Sequence, residues 1–384
     1  MRFIETVGHL PRAVRSRWKR LRGKQDLDHP FLRLPPELIC YIAEFLTPVD
    51  LALCSQTCRS LRTILGSNAA CLSRTEYFTY LASRARGLPE RWVCEKCTTL
   101  HSIVKLDTPS SIYNMSSCPR YAHGKRRDDT RLHYNQFPID HHHFQLALKY
   151  TRLQRQKYNS YLKDLMALYY DVHFGPSAAI LIKTHYMAFL KIVADNDGNF
   201  RFFFLFTWRY YKSRENISLY DLGYQLICPY FELNYCTSLC FRSGLCYVFE
   251  KAVREAIEAR RDNQDRTGAC LRCATDFSVQ LTPEYLDLHA WQDFGPEGPP
   301  VDLAWKSQSN GTDWEYDKNW RFAGPTLYHE PGSIRRLYGP EIPEKVVKLR
   351  NQAPVPVHHN SRPLTDTELY LAVWPALFHM YPTS

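Results

Sequence analysis

Residues 34–65, LPPELICYIAEFLTPVDLALCSQTCRSLRTIL, decide how the N-terminal part of the chain folds. The prolines near the start of this stretch suit the first turn of a helix, where a backbone N–H has no helical acceptor. The apolar residues that follow recur at helical spacing and lie on one stripe: Leu38, Ile42, Phe45 and Leu46. The sequence therefore predicts an amphipathic helix that ends near Thr47.

Two further short helices are predicted after the first. Thr47-Pro48-Val49-Asp50 combines an N-cap hydroxyl, a proline at the first helical position and a carboxylate at the third. The run from Cys58 to Leu65 has apolar residues at helical spacing. Three helices of this length bury little apolar surface, and domains below about 40 residues usually need a metal, a disulfide or a partner. We expect this module to bind a partner protein.

The order and spacing of these residues resemble the F-box. The shared positions are Leu34, Pro35, Glu37, Leu38, Ile42, Leu46, Asp50, Leu51, Cys58, Arg59, Leu61 and Arg62. The resemblance implies that the module binds a Skp-type adaptor, and through it the cullin scaffold of a ubiquitin ligase. The residues that it implies for adaptor contact are Leu34, Pro35, Pro36, Leu38, Ile39, Ile42 and Leu51.

A different interpretation of the same helices is a cap whose apolar stripe packs on the protein's own body. The two interpretations predict different exposure of the stripe. An adaptor site leaves a contiguous apolar patch uncovered in the monomer, whereas a cap buries it.

Two pairs of cysteines have the spacing of a metal-binding knuckle: Cys94 with Cys97, and Cys270 with Cys273. A two-residue spacing lets both thiolates reach one ion, and two such pairs complete a tetrahedral zinc site whose metal is structural. The pairs lie far apart in the chain, so the fold must bring them together. We expect Cys94, Cys97, Cys270 and Cys273 to hold one structural zinc ion.

Other ligand sets remain open, as does the presence of reduced thiols without metal. One set is Cys94 and Cys97 with Cys118 and His123; another is Cys270 and Cys273 with members of Cys228, Cys236, Cys240 and Cys246. Both knuckles, with Leu100-His101 after the first and Thr275-Asp276-Phe277 after the second, resemble a pattern found in F-box proteins of filamentous fungi. The remaining histidine run, His141-His142-His143, is expected to be a solvated loop, because adjacent side chains on one segment point in different directions.

Seven closely spaced Arg and Lys residues lie in residues 12–24, within the segment 1–29, and equal seven of the ten charges in the formal net charge of +10. We expect this segment to be a disordered, solvated arm. No apolar run reaches the roughly 18 residues of a membrane span. A secretory signal would need an apolar core near the start, which is missing, so we expect a reducing intracellular compartment, cytoplasmic or nuclear.

The rest of the chain, residues 67–384, is predicted to form one α+β body. Helices are expected over 74–86 and 245–261, and a hairpin over 179–194 and 200–211, reversed at Asp197-Gly198. Further strands are expected at 279–281 and 285–291. The fold class is therefore α+β: an F-box at residues 30–66, then a body with a small antiparallel sheet.

These expectations favour a non-catalytic receptor subunit of a Skp-cullin-F-box ubiquitin ligase, which bridges the adaptor and a protein client. No nucleotide-binding, metalloprotease or hydrolase motif occurs in the sequence, and we assign no catalytic residue. The alternative is a zinc-stabilised nucleic-acid-binding protein that uses the basic arm and Lys125-Arg126-Arg127. We consider nucleic acid the less favoured partner, because seven of the ten excess charges are clustered in residues 12–24 of the arm.

Overall fold

A computed structural model describes eleven stretches of the chain, and the described elements belong to one compact unit that ends at Tyr338. The described residues are 30–66, 71–109, 117–122, 139–174, 183–195, 197–211, 217–222, 225–233, 246–259, 263–309 and 326–339. The predicted basic arm, residues 1–29, lies outside them.

The N-terminal region is helical. A 3₁₀ turn spans Pro30–Arg33 and is followed by α1 (Pro36–Ala43), α2 (Pro48–Thr57) and α3 (Arg59–Leu65). The predicted cap of α2 is confirmed, because the Thr47 hydroxyl accepts a hydrogen bond from the Asp50 N–H at 3.2 Å and donates one to the Asp50 carboxylate at 2.7 Å. Cys58 Sγ caps α3 in the same way, at 3.4 Å from the Leu61 nitrogen.

A small apolar core, separate from the one around the main sheet, joins this helical region to the body. The expected connecting helix is α4 (Arg74–Arg86), and it begins with a capping box between Ser73 and Glu76. The hairpin of β1 (Arg91–Cys94) and β2 (Thr99–Ser102) follows α4 directly. Residues from α2, α4 and β1 bury their apolar side chains together: Val49, Ala52, Phe78, Tyr80, Leu81, Ala85 and Val93.

The remaining elements are helices and antiparallel strands. The helices are α5 (Pro119–Ala122), α6 (His141–Leu153), α7 (Asn159–Leu165), α8 (Leu219–Leu222), α9 (Cys246–Glu258), α10 (Leu303–Gln308) and α11 (Ser333–Tyr338), with a 3₁₀ turn at Gln156–Tyr158. The strands are β3 (Tyr169–Phe174), β4 (Lys183–Ala194), β5 (Phe200–Tyr211), β6 (Gln225–Cys228), β7 (Phe231–Leu233), β8 (Arg266–Ala269), β9 (Thr275–Leu281) and β10 (Tyr285–Pro296).

The main sheet has six antiparallel strands in the order β3-β4-β5-β10-β9-β8. The predicted hairpin of β4 and β5 is confirmed, with Gly198 at a φ of 78° in the reversal. The strands predicted at 279–281 and 285–291 are the end of β9 and the first part of β10. The sheet is larger than the small one expected. It grows because β5 pairs with β10 over nearly its whole length and joins two hairpins that are distant in sequence.

Helices cover both faces of this sheet. On one face, Phe144 of α6 packs against Phe202, Phe204 and Phe294, with ring centroids 4.6 to 5.7 Å apart. On the other face, α11 contacts β4, β9 and β10, and the Arg335 guanidinium lies 4.6 Å from the centre of the Trp291 ring. Burial on both sides explains why β5 is an almost continuous apolar run without alternation.

Candidate adaptor-binding surface and cysteine clusters

One side of α1 presents large apolar side chains to solvent. The exposed fractions are 49% for Leu38, 50% for Tyr41, 40% for Ile42 and 74% for Phe45. Their spacing places them along one stripe of the helix and the turn after it, and the rings of Tyr41 and Phe45 meet edge to face at 5.3 Å. We call these four residues the apolar patch. A contiguous apolar surface of this kind is typical of a protein interaction site.

The residues implied for adaptor contact divide into exposed and buried positions. Pro35, Leu38 and Ile42 are exposed, and Leu34, Pro36 and Leu51 are partly exposed. Ile39 is only 1% exposed, so its assignment as a contact residue does not fit this structure. It lies about 100° around the helix from Leu38 and therefore faces inward. Tyr41 and Phe45, which the resemblance does not imply for adaptor contact, are also exposed on this side; Phe45 belongs to the stripe predicted from the sequence, whereas Tyr41 does not.

The next helix, α2, packs against the protein's own body. Val49 and Ala52 of α2 are buried against α4, while Leu51 lies on the opposite side and remains partly exposed. The helical region therefore buries one surface in its own protein and leaves another uncovered. The stripe itself is exposed, as the adaptor interpretation requires, and the surface that packs on the body belongs to α2.

The structure divides the four expected zinc ligands between two groups. Cys94 and Cys97 lie with Cys118 and His101, whereas Cys270 and Cys273 lie with Cys228; within each group all ligand atoms are within 4.8 Å of one another. The single four-cysteine site expected from the sequence is therefore not formed. The reason is topological: each knuckle has a nearer third cysteine, from the segment before α5 in one case and from β6 in the other.

The first group lies at the turn between β1 and β2. Cys97 N–H donates to Cys94 Sγ at 3.3 Å, and Thr98, the next residue, has a positive φ of 53°. Burial, followed by interactions with the neighbouring thiols, raises the pKa of both Cys94 and Cys97. Burial lowers the pKa of His101, which favours the neutral imidazole that can act as a metal ligand.

The second group lies between β6 and the turn that precedes β9. Arg272 N–H donates to Cys270 Sγ at 3.4 Å. Hydrogen bonds from Cys228 and Cys273 hold the pKa of Cys270 well below its usual range, whereas burial raises the pKa of the other two thiols. Both groups could hold a metal ion.

The histidine run is not the expected solvated loop, because all three residues are buried in the first turn of α6. His143 Nδ1 accepts a hydrogen bond from the Asp140 N–H at 3.0 Å, so its Nε2 carries the proton and donates to Asp107 at 3.3 Å. His142 Nε2 donates to the other oxygen of the same carboxylate at 2.9 Å. Burial alone would raise the pKa of Asp107, but these two histidines lower it overall. No local pattern predicts this network, because Asp107 and His142 are 35 residues apart in the chain.

Residues 31–70 match the family model described as F-box-like. The matched residues include α1, α2 and α3 and therefore the whole apolar patch. The chain matches no curated protein and no solved structure. The match supports the resemblance drawn from the Leu34–Leu65 stretch, and F-box domains are generally non-catalytic modules that bind adaptors.

Several predicted features lie outside the described residues. These are the basic arm, Lys125-Arg126-Arg127, His123, Cys236 and Cys240. Among the helices that the structure describes, none combines the length and the apolar character needed to cross a bilayer.

Proposed function

We propose that this protein is a substrate-recruiting subunit of a Skp-cullin-F-box ubiquitin ligase. The observation that carries the proposal is the apolar patch, which is uncovered in the monomer and lies inside the F-box-like match. The patch binds the Skp-type adaptor, together with Pro35 and the partly exposed Leu34, Pro36 and Leu51. The body then binds a protein client.

The mechanism of such a subunit is proximity. Adaptor binding through α1 and α2 places the client near the ligase's catalytic machinery, which raises the effective concentration of acceptor lysines. The subunit itself then needs no catalytic residue. It works in a cytoplasmic or nuclear compartment, where the adaptor, the cullin and reduced thiols are all present.

Support for this mechanism comes from the way the module is held. Because α2 packs on α4 and α4 leads directly into β1, the patch is connected to the body through packed elements. A rigid connection matters for proximity, since a client held at a fixed distance reaches the transfer site more often than one on a loose tether. We further propose that metal bound by the cysteine groups is structural zinc.

The proposal is tested by capture of the full-length protein on an immobilised Skp-type adaptor. Leu38→Asp and Ile42→Asp each place a charge at the centre of the patch, and we expect each to lower the affinity at least tenfold, because a buried interface tolerates unpaired charge poorly. Both residues are exposed in the monomer, so the far-ultraviolet circular dichroism and the melting temperature should be unchanged.

The matched control is Leu337→Asp, which makes the same change at an exposed leucine of α11 in the body. It should bind the adaptor like the wild type. Equal binding by all three variants and the wild type would overturn the proposal. Retention on DNA or RNA that falls steeply with salt and ignores Leu38 and Ile42 would instead favour the nucleic-acid-binding alternative.

A further inference from the structure

The two cysteine groups have the same local construction in different parts of the chain. Each consists of a Cys-x-x-Cys turn next to a strand and a third cysteine delivered by a separate segment. One convergence of three thiols could be ordinary packing of small apolar side chains. Two convergences, both on turns of the same spacing, indicate a shared chemical role.

The sulfur separations in the first group fit ligands of one ion. Cys118 Sγ lies 3.6 Å from Cys94 Sγ and 3.2 Å from Cys97 Sγ. A disulfide needs about 2.05 Å. Two thiolates on a tetrahedral zinc ion, each about 2.3 Å from it, are about 3.8 Å apart. The imidazole of His101 supplies a fourth ligand atom within 4.8 Å of the sulfurs.

Backbone amides in both turns point at sulfur. Cys97 N–H donates to Cys94 Sγ, and Arg272 N–H donates to Cys270 Sγ. A thiol is a weak acceptor, whereas a thiolate accepts such bonds strongly. The turns are therefore shaped for thiolates, which is the form that binds metal.

Hydrogen bonds on either side of Cys118 hold it against the first turn. Arg120 donates to the Lys96 carbonyl at 2.7 Å, and Ser117 donates to the Ser102 carbonyl. The two acceptors belong to the β1–β2 hairpin. The residues on either side of Cys118 are thus held against the hairpin, which places the Cys118 sulfur beside the other two.

We propose that the chain binds two separate zinc ions. Cys94, Cys97, His101 and Cys118 hold the first, and the second has Cys228, Cys270 and Cys273 among its ligands. Nitrogen and thiolate ligands without an exchangeable position are typical of structural zinc. A divalent cation offsets the negative charge of buried thiolates that would otherwise be costly to ionise.

The first ion has a distinct position in the proposed ligase subunit. The β1–β2 hairpin follows α4, the helix on which the adaptor-binding module packs. An ion at this hairpin fastens the segment around Cys118 to the junction between module and body. The second ion fastens β6 to the start of β9, within the body.

The test is the zinc content of the purified full-length protein, measured by inductively coupled plasma mass spectrometry after removal of loosely bound metal. We expect two zinc ions per chain in the wild type. Cys118→Ser and Cys228→Ser should each lower the content to one, and the double variant should contain none. Cys71→Ser, which changes an exposed cysteine outside both groups, should retain two.

A single shared site gives a different pattern. One zinc ion in the wild type, lost in Cys94→Ser and in Cys270→Ser but retained in both Cys118→Ser and Cys228→Ser, would overturn the proposal, as would protein without metal. The wild-type count alone distinguishes one site from two if a variant fails to fold. Cobalt substitution adds a spectroscopic readout, since tetrahedral thiolate coordination gives intense visible absorption. Adaptor capture is measured separately, so each proposal can fail without the other.

Discussion

The buried histidine His141 couples the stability of the fold to pH. It lies at the first position of α6, beside Gln145 and the ring of Trp305. Burial, with the nearby charges of His142 and Lys306, lowers the pKa of His141 to about 3. The unfolded chain has a histidine pKa of about 6.5 and therefore binds a proton that the folded chain does not. Stability consequently falls as the pH decreases from about 6.5 towards 3.

We predict that His141→Gln weakens this pH dependence. At pH 5 the neutral state of His141 costs the wild type about 2 kcal/mol of unfolding free energy relative to pH 7. Glutamine does not titrate, so the unfolding free energy of the variant should fall correspondingly less between pH 7 and pH 5. The measurement is urea denaturation at pH 7, 6 and 5, with the zinc content determined at each pH because thiolates also bind protons as the pH falls. Identical pH profiles for the two proteins would contradict the assignment.

At the scale of single residues, the sequence predicted features that depend on local spacing better than it predicted which side chains are buried and which partners they contact. The cap of α2 and the exposed stripe of α1 follow from local spacing, and both were predicted. The polar environment of the buried His142 and His143 depends on Asp107, and the division of the cysteines depends on Cys118 and Cys228. Asp107 is distant in the chain, and no local pattern identifies it. Cys118 and Cys228 were among the alternative ligands drawn from the sequence, but spacing alone could not choose between those sets and the single four-cysteine site.

Among the secondary-structure elements, β5 and β10 share a buried ion pair. Arg209 and Asp287 lie directly opposite each other in the antiparallel register, and the guanidinium donates two hydrogen bonds to the carboxylate, at 2.6 and 2.5 Å. The guanidinium also lies 3.7 Å from the centre of the Tyr285 ring. Burial alone would lower the pKa of Arg209, but its bonds to Asp287 raise it overall. Asp287 therefore supplies the main compensation for the buried charge of Arg209.

Asp287→Asn should destabilise the protein by about 3–5 kcal/mol, because it leaves the Arg209 charge buried and uncompensated. Replacing both partners, in Arg209→Met with Asp287→Leu, should cost clearly less than the single change. Guanidinium denaturation monitored by tryptophan fluorescence measures both. A double variant less stable than Asp287→Asn would show that the single change destabilises the protein through loss of the ion pair itself, and not through the unpaired charge of Arg209.

The pairing of β5 with β10 also marks the limit of prediction at this scale. The β4–β5 hairpin was predicted because its reversal and both strands are contiguous in sequence. The join to β10 crosses more than seventy residues and depends on which edges remain free once the hairpins have formed. The sheet was therefore expected to be smaller than it is.

In the whole molecule, α6 connects the body to the segment that carries the F-box-like module. Its side chains bind the backbone of β1 and of the turn before it. Gln145 accepts a hydrogen bond from the Val93 N–H at 3.0 Å and donates one to the Val93 carbonyl at 3.1 Å, while Lys149 donates to the Arg91 carbonyl at 2.6 Å. Burial lowers the pKa of Lys149 to about 8. These bonds cover an edge of β1 that would otherwise have unpaired polar groups.

We predict that Gln145→Leu loosens this junction without affecting the adaptor surface. The change keeps a side chain of similar size but leaves the buried Val93 N–H and carbonyl without the amide, at a cost of about 1–3 kcal/mol for each such group. Hydrogen exchange followed by mass spectrometry should show faster exchange in peptides that cover β1, with β5 peptides and adaptor capture unchanged. Gln156→Leu, at an exposed position of the next turn, should match the wild type. Unaltered exchange in β1 would mean that packing alone holds the junction, and the role assigned to Gln145 would be wrong.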